Sequence, residues 1–503
     1  MSNQPTYDAV IVGSGPNGLS AAITLALADL SVLIIEGADT LGGGMRSSEK
    51  TLPGFVHDDC SAVHTTGILS PFFRQLPLTD HGLTWCIPPL SAAHPLPDGQ
   101  AALLALSIDE TCASLSKRDG QVYRNLVEPF LQHPDRLFID LLAPLKFPLQ
   151  PWTMARFGLL GLQSASRLIQ HRFRDPQAKA LFAGCAAHSI LPLDRWLTAA
   201  VGMVFALSGH VESWPIVKGG SQQLANALAT YFQHLGGKIE VSHPIRLFTD
   251  LPPAQAYLFD LSPKQLLQIA GENLPQGYRR RLQKYRYGPG VFKVDWALNT
   301  PIPWTAPRCG EASTVHLGGT FEEIAAAEKA VWSNEHPERP FVMICQQSHF
   351  DKSRAPIGKH TGYAYCHVPH GSTVDMTSAI ERQIERFAPG FSDTILARHT
   401  TNSDEFENYN PNYVGGAITG GVADLFQLFF RPIARFDPYR TPNPKIYLCS
   451  ASTPPGGGVH GMCGYYAAKS LLRRLGKQPR ALLSPSEQKQ LPPIETSALK
   501  VST

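Results

Sequence analysis

Apolar residues crowd together over Tyr7–Val12 (YDAVIV), recur at Leu19, Ala22, Ile23, Ala26, Leu27 and Leu30, and crowd again over Val32–Ile35. The crowded runs predict short buried parallel strands, and the spaced set predicts a helix with one apolar face between them. After about Ser70 the pattern changes. Val127–Leu149 and Met154–Ile169 are apolar and helix-like, and Pro144, Pro148 and Pro151 are expected to break them into pieces. Ser221–Leu235 is amphipathic, with Ser221 as the expected N-cap and Gly236-Gly237 ending it. Lys238–Val241 and Ala256–Phe259 read as strands that extend the first sheet. From about Gly288 to Asn412 strands predominate. Phe292–Leu298 alternates, with Phe292, Val294, Trp296 and Leu298 on one face and Lys293, Asp295 and Ala297 on the other. Phe341–Gln346 and Thr361–Val368 read as further strands, and Met376–Phe387 as a helix. A last strand, Lys445–Ser450, precedes a helix that begins near Met462.

The turn after the first strand carries Gly13, Gly15 and Gly18 in G-x-G-x-x-G spacing, and Glu36 closes the second strand about twenty residues further on. Gly13 permits the tight turn, Gly15 lets a pyrophosphate approach the backbone, and Gly18 lets helix and strand pack closely. The helix N-terminus offers free N–H groups to phosphates, and Glu36 suits ribose hydroxyls. A second glycine cluster, Gly42-Gly43-Gly44 with Met45 and Arg46, brings backbone to the ligand again, which points to FAD more than to NAD. Near the other end, Thr453-Pro454-Pro455-Gly456-Gly457-Gly458-Val459-His460-Gly461 repeats the order of strand, glycine loop and helix. There the positive helix end would stabilise a reduced, anionic flavin. No second dinucleotide motif is present, so NAD(P) would have to dock without one.

These units predict an α/β chain: a Rossmann-like FAD-binding domain built from the discontinuous segments 1–70, 211–285 and 435–478, and a substrate-binding domain from 71–210 and 286–434 with a mixed sheet and helical cap. Residues 479–503 are rich in Pro, Ser and Gln and read as a disordered tail.

Bulk composition narrows the picture. The 503 residues, 43% hydrophobic and 17% charged, describe an ordered globular protein. A net charge of +3 gives no footprint for nucleic acid. Nine cysteines lie scattered with no C-x-x-C, which suits a reducing compartment. MSNQPT leads straight into the first strand, and no apolar run reaches the roughly 18–20 residues needed to cross a bilayer. The expected location is cytoplasmic, with peripheral membrane contact open. Two readings of the apolar region around 126–170 stand side by side: a greasy substrate entrance with Lys146, Arg156, Arg167 and Arg172 near lipid headgroups, or an ordinary helical cap. In Pro53–His64, the residues His57, Asp58, Asp59 and His64 have metal-ligand chemistry but no partner cluster. A solvated or flavin-flanking loop is the favoured reading, and no metal is expected.

The two ends, VIVGSGPNGLSAA…VLIIEGADTLGGGMRS…PGFVHD and IYLCSASTPPGGGVHGMCGYYAAKSLL, together with WPIVKGGSQQLANAL, APIGKHTGYAYCHVP and QLFFRP between them, resemble the phytoene-desaturase-like branch of the FAD-dependent amine-oxidase superfamily. That branch includes carotenoid desaturases, isomerases and ketolases, retinol saturases, and poorly characterised pyridine-nucleotide-disulfide-oxidoreductase-domain proteins, which the chain resembles most. The resemblance implies FAD held by Gly13, Ser14, Gly15, Pro16, Asn17, Gly18, Glu36, Gly43, Gly44, Met45 and Arg46. It further implies contacts from Ile245 near the adenine and from Gly457, Gly458, Val459, His460, Gly461 and Met462 near the flavin. Pro454 stands where relatives often carry His, so a histidine near the ring has moved to His460 or is absent from the chemistry.

The function this implies is a FAD-dependent oxidoreductase, of desaturase, saturase or oxidase type, on a hydrophobic, polyene or isoprenoid-like substrate. Electrons would pass to an acceptor such as oxygen or a quinone. The candidates for the acid–base partner are His64, Lys293, Asp295, His360 and His460, with a structural ion pair the favoured reading of Lys293 and Asp295. Three alternatives remain open: an oxidase of small polar amines or amino acids, a redox-neutral flavin isomerase, and a FAD-binding protein without turnover.

Overall fold

The computed structural model describes residues 6–480; the end of the expected tail, 481–503, lies outside the described residues. Five short strands form a fully parallel sheet in the order Ile446–Leu448, Ala254–Phe259, Tyr7–Val12, Val32–Ile35 and Lys238–Glu240. Its central strands are buried on both faces, which is why they read as unbroken apolar runs rather than alternation. The sheet draws on three separate stretches of chain, so residues about 440 positions apart in sequence share one layer.

On one side of this sheet the helix Pro16–Ala26 packs against Gln222–His234 and Met462–Leu475. The contact between the first and last of these is a backbone approach: a Cβ on Gly464 would stand 1.7 Å from the carbonyl oxygen of Asn17. The two glycine loops are thereby set side by side. The Gln222–His234 helix starts where expected but is not capped as expected. Ser221 is already helical, and its hydroxyl donates to the Ser61 carbonyl at 2.6 Å. Asp58 and Ser47 cap the helix instead, accepting from the Ser221 and Gln222 N–H groups.

A second, seven-stranded mixed sheet runs Ile395–Thr401, Gly290–Leu298, His360–Val368, Val342–Cys345, Ala312–Leu317, Leu90–Pro95 and Ala101–Ala105. All neighbours are antiparallel except Ala312–Leu317 beside Leu90–Pro95. Here the alternation of Phe292–Leu298 misleads. Every residue of Gly290–Leu298 is buried, because the strand lies inside the sheet and is covered on both faces. Lys293 and Asp295 survive there as an ion pair with no exposed surface, while His57 Nδ1 lies 3.5 Å from Asp295.

Helices Pro134–Leu141, Pro151–Gly161, Ala165–Arg172, Pro176–Ala187 and Thr198–Val211 build the cap. Pro144 and Pro148 do interrupt the apolar stretch, but Pro151 occupies the first turn of a helix and starts it, where its missing N–H costs nothing. The segment Pro53–His64 is also not a solvated loop: His57, Asp58, Asp59 and His64 are all buried. His57–Asp58 pairs antiparallel with Ser47–Ser48, and Arg354, itself fully buried, reaches Asp58 at 3.0 Å and Asp351 at 3.1 Å. Among the described residues no group of three or more His, Cys, Asp and Glu is placed to hold a metal ion, and no helix is long and apolar enough to cross a membrane.

Candidate functional site

Both glycine loops open into one cavity of about 1110 Å3. That is just above the usual range for a single small ligand. Gly13, Ser14, Gly15, Pro16 and Asn17 line one end with Glu36, Gly43, Gly44, Arg46 and Ile245. Gly457, Gly458 and Val459 line it from the other end of the chain. Gly18, Met45, His460, Gly461 and Met462 stand behind this wall rather than in it. Gly18 shows why: a Cβ there would meet the Gly13 carbonyl at 2.1 Å, so its part is the tight helix–strand approach.

Glu36 organises the first end. Its carboxylate accepts from the Ser14 N–H at 2.9 Å, the Ser14 hydroxyl at 2.6 Å and the Ala38 N–H at 2.9 Å, with Arg46 at 3.4 Å. Tyr409 holds the second glycine cluster by donating to the Gly43 carbonyl at 2.7 Å. Asn17 Oδ1 is buried there without a partner. A glycine cradle, a helix N-terminus, a carboxylate near the loop and an unpartnered amide oxygen together form a donor and acceptor set that FAD would satisfy.

Asp260, at the end of the strand Ala254–Phe259, was invisible as a motif yet sits in the same wall. Its Oδ2 accepts from the Gly18 N–H at 2.8 Å, taking the cap position that Gly15 has no side chain to fill. Burial, and secondarily the Glu36 charge, raise its carboxyl to about 7 against the opposing Gly18 hydrogen bond. Arg431, from the QLFFRP stretch, is likewise buried in the wall and donates to the carbonyls of Ala451 and Val422.

The five acid–base candidates separate. His64 lines the cavity. Its Nε2 lies 2.9 Å from the Ser221 hydroxyl, whose hydrogen goes to the Ser61 carbonyl. Nε2 of His64 is therefore the donor, and Nδ1 is left as a buried acceptor without a partner. Burial lowers its pKa to about 4, so the ring stays neutral. Lys293 and Asp295 lie behind Tyr363, with Lys293 Nζ 4.4 Å from the Tyr363 ring centre, and Tyr363 faces the cavity. His460 is buried and accepts from the Met462 N–H at 3.0 Å through Nδ1. His360 stands beside Ser348 and His349, outside the cavity lining.

Beyond His64 the cavity becomes a chamber walled by Phe138, Leu142, Phe157, Leu162, Val204 and Phe205 from the cap, with Tyr363, Tyr365 and Met343 from the large sheet. Leu145 lines this cavity, and the same stretch of the cap carries Phe147, Trp152 and Leu159; the four are exposed by 70%, 84%, 88% and 74%. Asp140 is the acidic side chain on the chamber wall, and it is held by Lys146 at 3.3 Å and the Leu149 N–H at 2.7 Å.

Residues 11–76 match the family model of the NAD(P)-binding Rossmann-like domain. Over 94% of each chain, the sequence is 24% identical to pyridine nucleotide-disulfide oxidoreductase domain-containing protein 2 of Rattus norvegicus. It is also 24% identical to hydroxyneurosporene desaturase of Cereibacter sphaeroides, over 94% of this chain and 98% of that one. Among solved structures, an oxidoreductase from Methanosarcina mazei superposes with a TM-score of 0.64 at 14% identity, covering 92% of this chain and 99% of that chain. A triple mutant of putrescine oxidase superposes with a TM-score of 0.60 at 18% identity, covering 93% of this chain and 99% of that chain. The resemblance to the desaturase-like branch thus extends along nearly the whole chain, on a fold shared with amine oxidases.

Proposed function

We propose that this protein is a FAD-dependent oxidoreductase whose second chamber receives an apolar, polyene- or isoprenoid-like molecule. The observation that carries the reading is the continuity of one cavity, from two facing glycine loops into a chamber walled by aliphatic and aromatic side chains. Bound FAD would supply hydride-accepting or hydride-donating chemistry. The chain's own residues do the rest. Ser14, Glu36 and the helix N-terminus would bind the nucleotide half, and the loop Gly457–Val459 with Arg431 would hold the other half. The cap side chains exclude water and orient an extended apolar molecule along the chamber. His64 Nδ1 is the group placed to accept a hydrogen bond, since its other nitrogen is tied to Ser221.

The activities that relatives are named for, a desaturase among them, support this reading. The likeness to putrescine oxidase extends to fold; the aliphatic and aromatic walls of the chamber favour an apolar molecule over a small cationic amine, and the charge of Asp140 is faced by Lys146 at 3.3 Å. The exposed apolar side chains of this stretch, with Arg156 exposed among them, support delivery of the substrate from a lipid surface: the aromatics would enter the headgroup boundary while Arg156 meets lipid phosphates. The test is to purify the yellow protein, identify any co-purifying lipid by mass spectrometry, and add it back without oxygen. Bleaching of the flavin by that lipid supports the proposal. Rapid bleaching by small amines, with peroxide released in air and no response to lipids, refutes it.

A further inference from the structure

At the end of the helix Pro176–Ala187, His188 and Ser189 put polar atoms into the wall of the apolar chamber. His188 stacks on Phe205 with ring centres 4.0 Å apart and meets the edge of Trp214. Its Nε2 lies 3.0 Å from Nε2 of His316, a fully buried residue of the large sheet. Two facing imidazole nitrogens at this distance share one hydrogen. His316 Nδ1 is buried without a partner and packs against Gly184, where even a Cβ would stand 2.5 Å away. A hydrogen on that nitrogen would be a buried donor with nothing to bond, which is rarer and costlier than a spare acceptor. The hydrogen therefore sits on His316 Nε2 and is donated to His188. His188 must then carry its own hydrogen on Nδ1. Beside it, the Ser189 hydroxyl is buried, only 7% of the residue being exposed, and has no protein partner.

From this pairing we infer that the chamber has a hydrogen-bonding pole, in which His188 Nδ1–H and the Ser189 hydroxyl bind a single hydroxyl oxygen on an otherwise apolar substrate. The oxygen accepts from His188, and its own hydrogen goes to Ser189. His316 acts as a positioning residue that fixes which nitrogen of His188 donates. Burial holds both imidazoles neutral, with the His188 pKa lowered to about 3, so the pole presents a fixed donor rather than a charge. This inference rests on the apolar-chamber reading proposed above and adds a recognition element to it.

The test uses the FAD-loaded full chain and two matched probes, farnesol and the hydrocarbon farnesene, each competed against a fluorescent apolar probe. Wild type is expected to prefer the alcohol by about tenfold, the value of one well-made buried hydrogen bond. His188→Phe, which keeps the stack on Phe205, Ser189→Ala and His316→Phe should each bring the ratio of the two affinities towards one while farnesene binding is kept. The ratio is the decisive readout, since a purely structural role would weaken both probes together, and that outcome would overturn the inference. Equal binding of both probes by wild type would overturn the pole and leave the apolar chamber intact. Binding of neither probe, with FAD retained, would overturn the apolar-substrate reading as well.

Discussion

Asp260 is ionisable, buried and hydrogen-bonded to the loop that would face a pyrophosphate, so its replacement by Asn has a calculable signature. Its carboxyl is carried from an ordinary 3.8 to about 7, mainly by burial and then by the Glu36 charge. At ~1.4 kcal/mol per tenfold change in proton affinity, that corresponds to about 4 kcal/mol between the protonated and ionised forms in the folded chain. A raised folded-state value means the stabilisation is complete below about pH 4 and is lost as pH rises to about 7, beyond which the penalty is constant. The amide that D260N puts in its place would be neutral throughout, and its oxygen would still accept from the Gly18 N–H. Paired urea titrations of wild type and D260N, both without added cofactor, are expected to differ by only about 1 kcal/mol at pH 4.5 and to separate at pH 8, with D260N the more stable by up to about 4 kcal/mol. Taking the difference between the two proteins cancels the opposite trend from buried His57, His64 and His460, whose lowered values cost stability as pH falls. A bound diphosphate would press further against the ionised carboxylate, so wild type should lose FAD affinity above neutral pH while D260N keeps it. An equal offset at both pH values, or a gain by wild type at pH 8, would refute the placement of a strained carboxylate at this loop.

Other outcomes follow from single contacts. Gly18→Ala sets a Cβ 2.1 Å from the Gly13 carbonyl, so it should abolish flavin retention and lower the melting temperature; a yellow, normally stable variant would contradict the packing. Arg354→Met leaves Asp58 and Asp351 buried and uncompensated and should cost about 3–5 kcal/mol in denaturant titration, with Arg354→Lys rescuing little because it cannot reach both carboxylates as a fork. Lys293→Met should be similarly damaging alone, whereas the double change Lys293→Met with Asp295→Leu should recover much of the loss. Phe147→Asp with Trp152→Asp, both exposed on the cap, should reduce flotation with anionic liposomes several-fold without changing the flavin content.

How much of this was legible in the sequence depends on how locally each feature is encoded. The first glycine loop is written in about thirty residues, with the strand, turn, helix and acid all within reach of one another. The partnership of that loop with Gly457–Val459 was readable because both ends repeat the same order of elements. The Arg354–Asp58–Asp351 cluster was not, since the arginine and Asp58 lie 296 positions apart and neither neighbourhood has a periodic signal. His57 and Asp58 looked like a polar turn for that reason, and Ser221 looked like a cap because the true cap, Asp58, comes from another segment. Asp260 follows an apolar strand at an unremarkable position, and only the parallel pairing of Phe259 with Val12 brings it to Gly18. His188 and His316, 128 positions apart, meet only once the cap closes on the large sheet. Of the five acid–base candidates, residue type alone could not rank them; what sets His64 apart is a hydrogen-bond chain through Ser221 to Ser61.

The central claim is that the two ends of the chain enclose one FAD beside an apolar chamber. Its most direct test is to unfold and strip the purified protein, refold it with excess FAD, and measure flavin per chain after gel filtration. The account predicts one FAD per chain, with the visible flavin band shifting when farnesene is added. A refolded chain that retains no flavin would contradict it.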